Sequence, residues 1–274
     1  MIYVWLHEHL GWPGLVATTA AFGVAFYVMV AGASYRYYFA RYRQKFVPDY
    51  RESAHEIRQA WRWSAYNIAG NTLLILPVQI LIVSGQSRLY TDIHQYGIAY
   101  LAASAVGALL FAETAIYWLH RLLHIRPFFR YLHSIHHRFR EPNPMIAYAF
   151  HPVDSFTQSL PYHLYVFIVP TNFWVYFPLF LFSSFWAVLI HDRVRWIPGW
   201  LVPFVNYAGC HTTHHWFGRY NYGNYLTFWD RICGTYRSPS LLPDKFFAVK
   251  PPPAARPAAV PVSAAASRRS ESGA

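Results

Sequence analysis

The stretch IHQYGIAYLAASAVGALLFAETAIYWLHRLLH, Ile93–His124, decides how this chain is read. From Ile93 to Leu119 it holds no lysine or arginine and a single acid, Glu113, with Asp92 just outside its edge. That run exceeds the roughly 20 apolar residues that a membrane-spanning helix needs. It leads straight into His120 and His124, an HxxxH. His133, His136 and His137 then form an HxxHH, and His211, His214 and His215 form a second one. On a helix, residues three and four apart share a face, so each cluster should present two or three imidazoles to one point. Imidazole is a common ligand of iron, zinc and copper. One tetrahedral metal takes about four ligands, so eight clustered histidines point to two metals, or to one with a surplus. The expectation is a dinuclear site beside a membrane.

Blander readings fit less well. A lone histidine is an ordinary surface or core residue, but three tight clusters are not explained that way. A purely structural zinc site leans on cysteine, whereas this chain has only Cys210 and Cys233, with no CxxC. No disulfide framework follows from two cysteines, and a cytosolic setting would keep both reduced.

Composition agrees with the membrane. The chain has 274 residues, 55% hydrophobic and 20% aromatic, but only 13% charged, against about 25% charged in soluble domains. Three further blocks, Leu15–Tyr35, Ser64–Ser87 and Ser155–Ile190, contain no charge at all. The first is no cleavable signal by its sequence: it is long, and no lysine or arginine precedes it within Met1–Gly14. The net charge of +11 suggests nucleic-acid binding until its distribution is followed. Arg36, Arg41, Arg43, Lys45, Arg51, Arg58 and Arg62 cluster after the first block, Arg88 stands alone between the second and third, and the remaining bases follow the third or fourth. This is the positive-inside pattern. It puts the N-terminus outside, the Arg36–Trp63 loop in the cytoplasm and His120 at the cytoplasmic face, and it argues against nucleic acid. The same basic face suits anionic lipid or an acidic redox partner.

Parity then constrains Ser155–Ile190. If all three clusters serve one site, this block must leave the cytoplasmic side and return, yet it is too short for two full spans. Pro170, Thr171, Asn172 and Pro178 interrupt it, and proline favours turns. A short hairpin turning in or near the far leaflet fits, and it delivers His191 and Asp192 to the metal side. The division expected is residues 1–119 as N-terminal transmembrane helices, 120–250 as the histidine-box region with a membrane hairpin at about 155–190, and 251–274 as a disordered Pro/Ala-rich tail. The fold class is all-α: a multi-pass helical bundle under a cytoplasmic helical cap that holds the histidine-rich site.

Ligand type alone does not choose among iron, zinc and copper. A zinc hydrolase uses few histidines per metal with a water and a carboxylate base. A pair of irons that uses dioxygen on an unactivated C–H bond of a lipid accounts better for the surplus of imidazole and the bilayer setting, since side chains cannot supply such an oxidant themselves.

The order HxxxH, HxxHH, HxxHH resembles the fatty acid hydroxylase and sterol desaturase superfamily of non-haem di-iron enzymes. The flanks YWLHRLLH (Tyr117–His124), LHSIHH (Leu132–His137), AFHPVDSFTQSLPYH (Ala149–His163), LIHD (Leu189–Asp192) and CHTTHHWFGRYNYGNYLTFWDRICGTYR (Cys210–Arg237) are most similar to its C-5 sterol desaturase (lathosterol oxidase) branch. The resemblance covers roughly Tyr117–Pro239. It implies that His120, His124, His133, His136, His137, His211, His214 and His215 ligate two iron ions, with dioxygen as co-substrate and a Δ7 sterol gaining a 5,6 double bond. It makes His191 a ninth ligand. His151 is a candidate for a ligand or a supporting group, and His163 for a local hydrogen bond or the substrate path.

Glu113, Tyr117, His120 and His124 form one helical stripe, so the intramembrane Glu113 is a candidate support for a histidine. Asp154, Asp192 and Asp230 are further candidates to orient imidazoles or arginines, Asp192 foremost because it adjoins His191. Phe173, Trp174, Tyr176, Phe177, Phe180, Phe182, Phe185 and Trp186 are expected to face lipid or core, some of them walling a slot for a flat sterol. Electrons must come from an external donor such as cytochrome b5 or a ferredoxin, because no His-Pro-Gly-Gly haem motif and no flavin or nicotinamide fingerprint occurs. The membrane is that of the endoplasmic reticulum in a eukaryote and the cytoplasmic membrane in a bacterium. A lipid or sterol hydroxylase of the same superfamily shares the first hydrogen abstraction. A histidine-rich metal transporter would carry its ligands within the spans, whereas these lie just outside them.

Overall fold

The computed structural model describes residues 1–51, 53–195 and 197–239, so the tail expected from Pro251 onward lies outside the described residues. The protein is mostly helical. Helix α1, Ile2–Ser34, is interrupted at Gly11 and continues as a π-helical turn over Tyr35–Arg41. A short α2, Arg43–Phe46, leads to α3, Ala54–Val83, and then to α4, Gly97–Leu123. Ile2–Arg41, Ala54–Val83 and Gly97–Leu123 are each long and apolar enough to cross a membrane. Ser53 caps α3 by accepting the Glu56 amide at 3.3 Å, in the Ser-x-x-Glu arrangement that starts many helices. Helix α1 begins before the first charge-free block because the residues preceding Leu15 find a partner of their own: Tyr3 packs edge-on against Phe173, with ring centres 6.4 Å apart.

The fourth block folds as a helical hairpin. Helices α6, Pro152–Ile168, and α7, Phe173–Leu189, have 17 residues each, about 25 Å of rise. The turn between them is pinned from outside. Strand β1, Leu89–Tyr90, pairs in parallel with β2, Thr171–Asn172, placing Leu89 beside Thr171 and Tyr90 beside Asn172. The hairpin therefore reaches the end of the bundle where α3 connects to α4. Pro170 lies in the turn, but Pro178 does not interrupt as its sequence context suggested: α7 runs through it. Asn172 caps α7 by accepting the Trp174 amide at 2.9 Å, and the helix loses only one backbone bond at the proline.

Helix α4 ends at Leu123 with His124 as its cap, and Pro127 sits in the first turn of the helix that follows, where its missing N–H costs nothing. A short α5, Arg126–Tyr131, precedes a 3-10 turn over His133–Arg138 and a second over Pro144–Tyr148. The second turn packs into the bundle: Met145, Ile146, Ala147 and Ala149 share a buried cluster with Tyr27 and Ala31 of α1, Ile68 of α3 and Val188 of α7. Its backbone oxygens are met by span side chains, with the Tyr27 hydroxyl donating to Met145 O at 2.9 Å and Asn67 Nδ2 to Tyr148 O at 3.0 Å. Non-helical backbone buried among helices requires such partners. Past the hairpin, Arg193 adopts a left-handed backbone (φ 62°). Its buried guanidinium meets Asp49 at 2.6 Å and Glu141 at 3.6 Å, which ties the loop after α2 and the loop before the second 3-10 turn to the hairpin exit. Helices α8, Ala208–Phe217, and α9, Phe228–Ile232, complete the described chain.

Candidate metal centre

Nine histidines converge at the end of the bundle opposite the hairpin turn. They fall into two groups, His120, His124, His133, His137 and His214 in one, and His136, His191, His211 and His215 in the other. Within each group the candidate ligand atoms lie within 4.8 Å of one another. Both HxxHH clusters are split between the groups, contrary to the expectation that each would face a single point. His133 and His137 serve the group of five while His136 serves the group of four; His211 and His215 serve the group of four while His214 serves the group of five. In α8 the reason is angular: successive helical residues are about 100° apart, so the i, i+4 pair His211 and His215 flanks one point and His214 at i+3 turns to the next.

The ring nitrogens divide their labour. His120 Nδ1–H donates to Tyr222 O at 2.9 Å, His214 Nδ1–H to Tyr220 O at 2.6 Å, His215 Nδ1–H to Phe139 O at 3.1 Å and His191 Nδ1–H to Ala187 O at 2.5 Å. His133 Nδ1–H donates to Asp154 at 2.8 Å. Each such bond leaves Nε2 as an unprotonated lone pair. Those lone pairs face one another: His120 Nε2 lies 3.1 Å from His133 Nε2, and His191 Nε2 lies 3.4 Å from His215 Nε2. His137 and His214 approach to 3.0 Å, His124 and His214 to 3.2 Å, His136 and His191 to 3.1 Å, and His211 and His191 to 2.9 Å. Two lone pairs with no proton between them repel, and a cation at each focus reverses the sign. The donor set therefore fits two metal ions, one per group, with second-layer acceptors of the kind that orient metal-bound histidines.

Burial keeps these rings neutral. It depresses His136, His137, His211, His214 and His215 well below the ordinary imidazole range, and the proximity of neighbouring histidines depresses them further. His191 falls to about 4, chiefly by burial and against the pull of Ala187 O. Neutral imidazole is the metal-binding form. Cys210 is also buried, which pushes its thiol up to about 12 and makes it unreactive as a nucleophile.

The other candidates occupy different roles. His151 stands outside both groups and caps α6, its Nδ1 accepting the Val153 amide at 3.2 Å. His163 Nδ1 pairs with the Tyr176 hydroxyl at 2.8 Å. Asp192 accepts the Val194 amide at 2.8 Å, and Asp154, fully buried, meets the His133 imidazole and is also held by Gln158 Nε2 at 2.8 Å. Glu113 supports His120 through a loop rather than a side-chain chain: its carboxylate accepts the Tyr225 and Leu226 amides at 2.7 and 3.2 Å. Asp230 holds the same loop by accepting the amides of Tyr222 and Gly223 at 2.9 and 2.8 Å. Gly223 is required there, since a Cβ would collide with Leu226 O and crowd both carboxylates. That loop presents Tyr222 O to His120.

Sequence reasoning missed Phe150, whose ring stacks on His136 with centres 3.8 Å apart. It also missed the backbone oxygens that aim the histidines; no residue type encodes them. A cavity runs through the bundle from Tyr3 to Phe150 and Ala187, between α1, α3, α6 and α7. Phe180 of the aromatic hairpin lines it, while Trp174, Phe182 and Phe185 are exposed and Phe173 and Tyr176 are buried elsewhere.

Residues 105–235 match the fatty acid hydroxylase family model. The chain is 39% identical over 188 residues to human lathosterol oxidase, covering 68% of this chain and 63% of that protein. It is 39% identical over 221 residues to a Δ7-sterol 5(6)-desaturase of Gibberella zeae, covering 80% of this chain and 68% of that protein. A Δ7-sterol 5(6)-desaturase of Candida albicans is 37% identical over 227 residues, covering 82% of this chain and 57% of that protein. The chain thus spans between about half and two thirds of the length of these relatives. No solved structure matches it.

Proposed function

Because the chain belongs to the fatty acid hydroxylase family, we propose that it is a membrane oxidoreductase that introduces the 5,6 double bond into a Δ7 sterol. The observation that carries this is the convergence of nine Nε2 atoms in two groups, seven of the rings buried and two half-buried, beside one end of a cavity in the bundle. A pair of iron ions held by His120, His124, His133, His137 and His214 and by His136, His191, His211 and His215 would supply the oxidation of an unactivated C–H bond by dioxygen. Overall, the sterol loses one hydrogen from each of C5 and C6, and dioxygen, two electrons and two protons become two waters. The protein's part is positional. Tyr222 O, Tyr220 O, Phe139 O, Ala187 O and Asp154 fix five imidazoles with Nε2 inward. Burial keeps the rings unprotonated and keeps water from the reacting carbon. Phe150 packs between the cavity and His136.

The electrons come from an external one-electron donor such as cytochrome b5 or a ferredoxin, attracted by the basic residues at the histidine end. That end lies on the cytoplasmic side, as the positive-inside pattern requires, in the endoplasmic reticulum of a eukaryote or the cytoplasmic membrane of a bacterium. Cysteines introduced at Ser134 and Ser238 should label from the cytoplasmic face and one at Ser87 from the other; labelling of Ser134 and Ser238 from opposite faces would refute the hairpin topology. The deciding experiment supplies a Δ7 sterol, dioxygen and a cytochrome b5-type donor to the purified protein in bilayers and analyses the lipid by mass spectrometry. The Δ5,7-diene is expected. A stable hydroxylated lipid as sole product would assign the chain to hydroxylation instead.

A further inference from the structure

Helix α3 carries amide side chains in the middle of a charge-free span. Asn67, Asn71 and Gln79 lie at i, i+4 and i+12, and all three line the cavity. Asn67 and Gln79 are buried at 3% exposure. Their NH2 groups are used within the bundle, Asn67 Nδ2 on Tyr148 O and Gln79 Nε2 on Thr19 Oγ1 at 3.1 Å. Their carbonyl oxygens, and that of Asn71, are buried with no hydrogen-bond partner among the described residues. Polar atoms left unsatisfied in hydrocarbon are costly. A carbonyl oxygen only accepts, so what completes this wall must bring an O–H or N–H.

The two ends of the cavity differ. At one end Phe150 stacks on His136, and the Ala187 oxygen holds His191. Asn67 belongs to this end through its bond to Tyr148 O, and Asn71 is one turn below it. Gln79 is twelve residues from Asn67, about 18 Å along the helix axis. Close contact between α3 and α6 assembles the histidine end. A Cβ on Gly70 would lie 2.5 Å from the Pro152 ring, so only glycine lets the helices meet here. That contact sets Asn67 and Asn71 in one wall with Ser155 and Gln158 of α6. Gln158 in turn donates to Asp154, the partner of His133.

We propose that Asn67 Oδ1 and Asn71 Oδ1 accept the hydroxyl proton of a mono-hydroxylated polycyclic lipid and so decide which way round it enters the cavity. The inference rests on the sterol desaturase reading. In a Δ7 sterol C3 is two bonds from C5 and its hydroxyl oxygen three, so hydroxyl and reacting carbons must share one end of the cavity. Only an acceptor beside the histidines meets that condition. Asn67 and Asn71 do, and Gln79 does not. The alkyl tail then extends along Ile75, Phe22 and Phe26.

The test uses the full chain in bilayers with three probes: 5α-cholest-7-en-3β-ol, its 3-methyl ether and its 3-ketone. Equilibrium binding of radiolabelled sterol to metal-free protein reads recognition independently of turnover. The alcohol should bind about tenfold more tightly than the ether or the ketone, the scale of one buried hydrogen bond. Asn71→Leu should bring the alcohol's affinity down to that of the ether and leave the ether unchanged; Asn67→Leu should act in the same direction. In turnover by the loaded enzyme the KM for the alcohol should rise in the same proportion. The wild-type probe series needs no variant to fold. Equal binding of all three probes, with the alcohol still desaturated, overturns the hydroxyl assignment alone. An alcohol preference that survives both substitutions overturns the choice of residues. A wild-type protein that neither binds nor converts any of the sterols brings down the desaturase reading, and the inference with it.

Discussion

The group of five histidines and the group of four draw on the same three sequence clusters, yet they are held differently. In the group of five, His120 and His214 lean on the oxygens of Tyr222 and Tyr220, from one loop after α8, and His133 leans on the buried carboxylate of Asp154. In the group of four, His191 arrives from the end of the hairpin and is fixed by Ala187 O one turn back. His215 is fixed by Phe139 O, while His136 Nδ1 has no hydrogen-bond partner among the described residues and its ring lies flat on Phe150. One focus is aimed by a polar loop and a carboxylate. The other depends on where the α6–α7 hairpin ends and on stacking. The second focus should therefore respond to changes in that hairpin, and the first to the loop after α8.

The largest effects should come from the ligands. His214→Ala and His211→Ala remove one ligand from different groups, and His120→Ala and His136→Ala repeat the pair. All four should fall to background activity while still inserting in the membrane, with elemental analysis dropping from about two irons per chain toward one. If His214→Ala retains activity, the two-focus reading is wrong. His191→Ala should be nearly as severe, because the hairpin supplies no other imidazole to the group of four; iron loss confined to one focus, seen as a change in Mössbauer site ratio, would sharpen the contrast. A normal iron content and rate would remove His191 from the site.

Asp154→Asn should be milder. It keeps the shape but removes the charge facing His133, and such outer-layer changes typically cost about 10–100-fold in metal affinity or activity. The loss should appear in the group of five; an equal loss from both groups would show that Asp154 acts on the fold instead. Smallest of all is His151→Ala. It removes a helix cap worth about 1 kcal/mol, so thermal stability should fall slightly with turnover within about twofold of the parent. Loss of iron in His151→Ala would make it a ligand after all.

Much of the site is readable along the chain. Eight of the nine histidines lie at spacings that mark them as a set, the ninth, His191, comes only from the family resemblance, and the charge-free blocks with their basic flanks order the spans. Asp154 was harder to rank than Asp192, because adjacency to His191 in sequence is a weaker guide than the packing of α6 beneath the 3-10 turn at His133. The partition of the second HxxHH follows from the α-helix, where residues i+3 and i+4 diverge by about 100°, whereas that of the first depends on a 3-10 turn that the spacing does not announce. The α3 amides stand out in an apolar run, but only their orphaned oxygens in a cavity wall give them a role.

The sequence by itself determined what is local or compositional: which residues are imidazoles, which runs suit hydrocarbon, where proline and asparagine turn the chain, and which end is basic. Those properties need no distant partner. The tertiary structure alone decided which histidines share a focus, which nitrogen of each ring faces inward, and which carboxylate answers His133. Each of these is a contact across tens of residues, as between His120 and Tyr222 or His133 and Asp154. Their geometry comes from the pairing of the hairpin turn with Leu89–Tyr90 and the close crossing at Gly70, which no periodicity in the chain encodes.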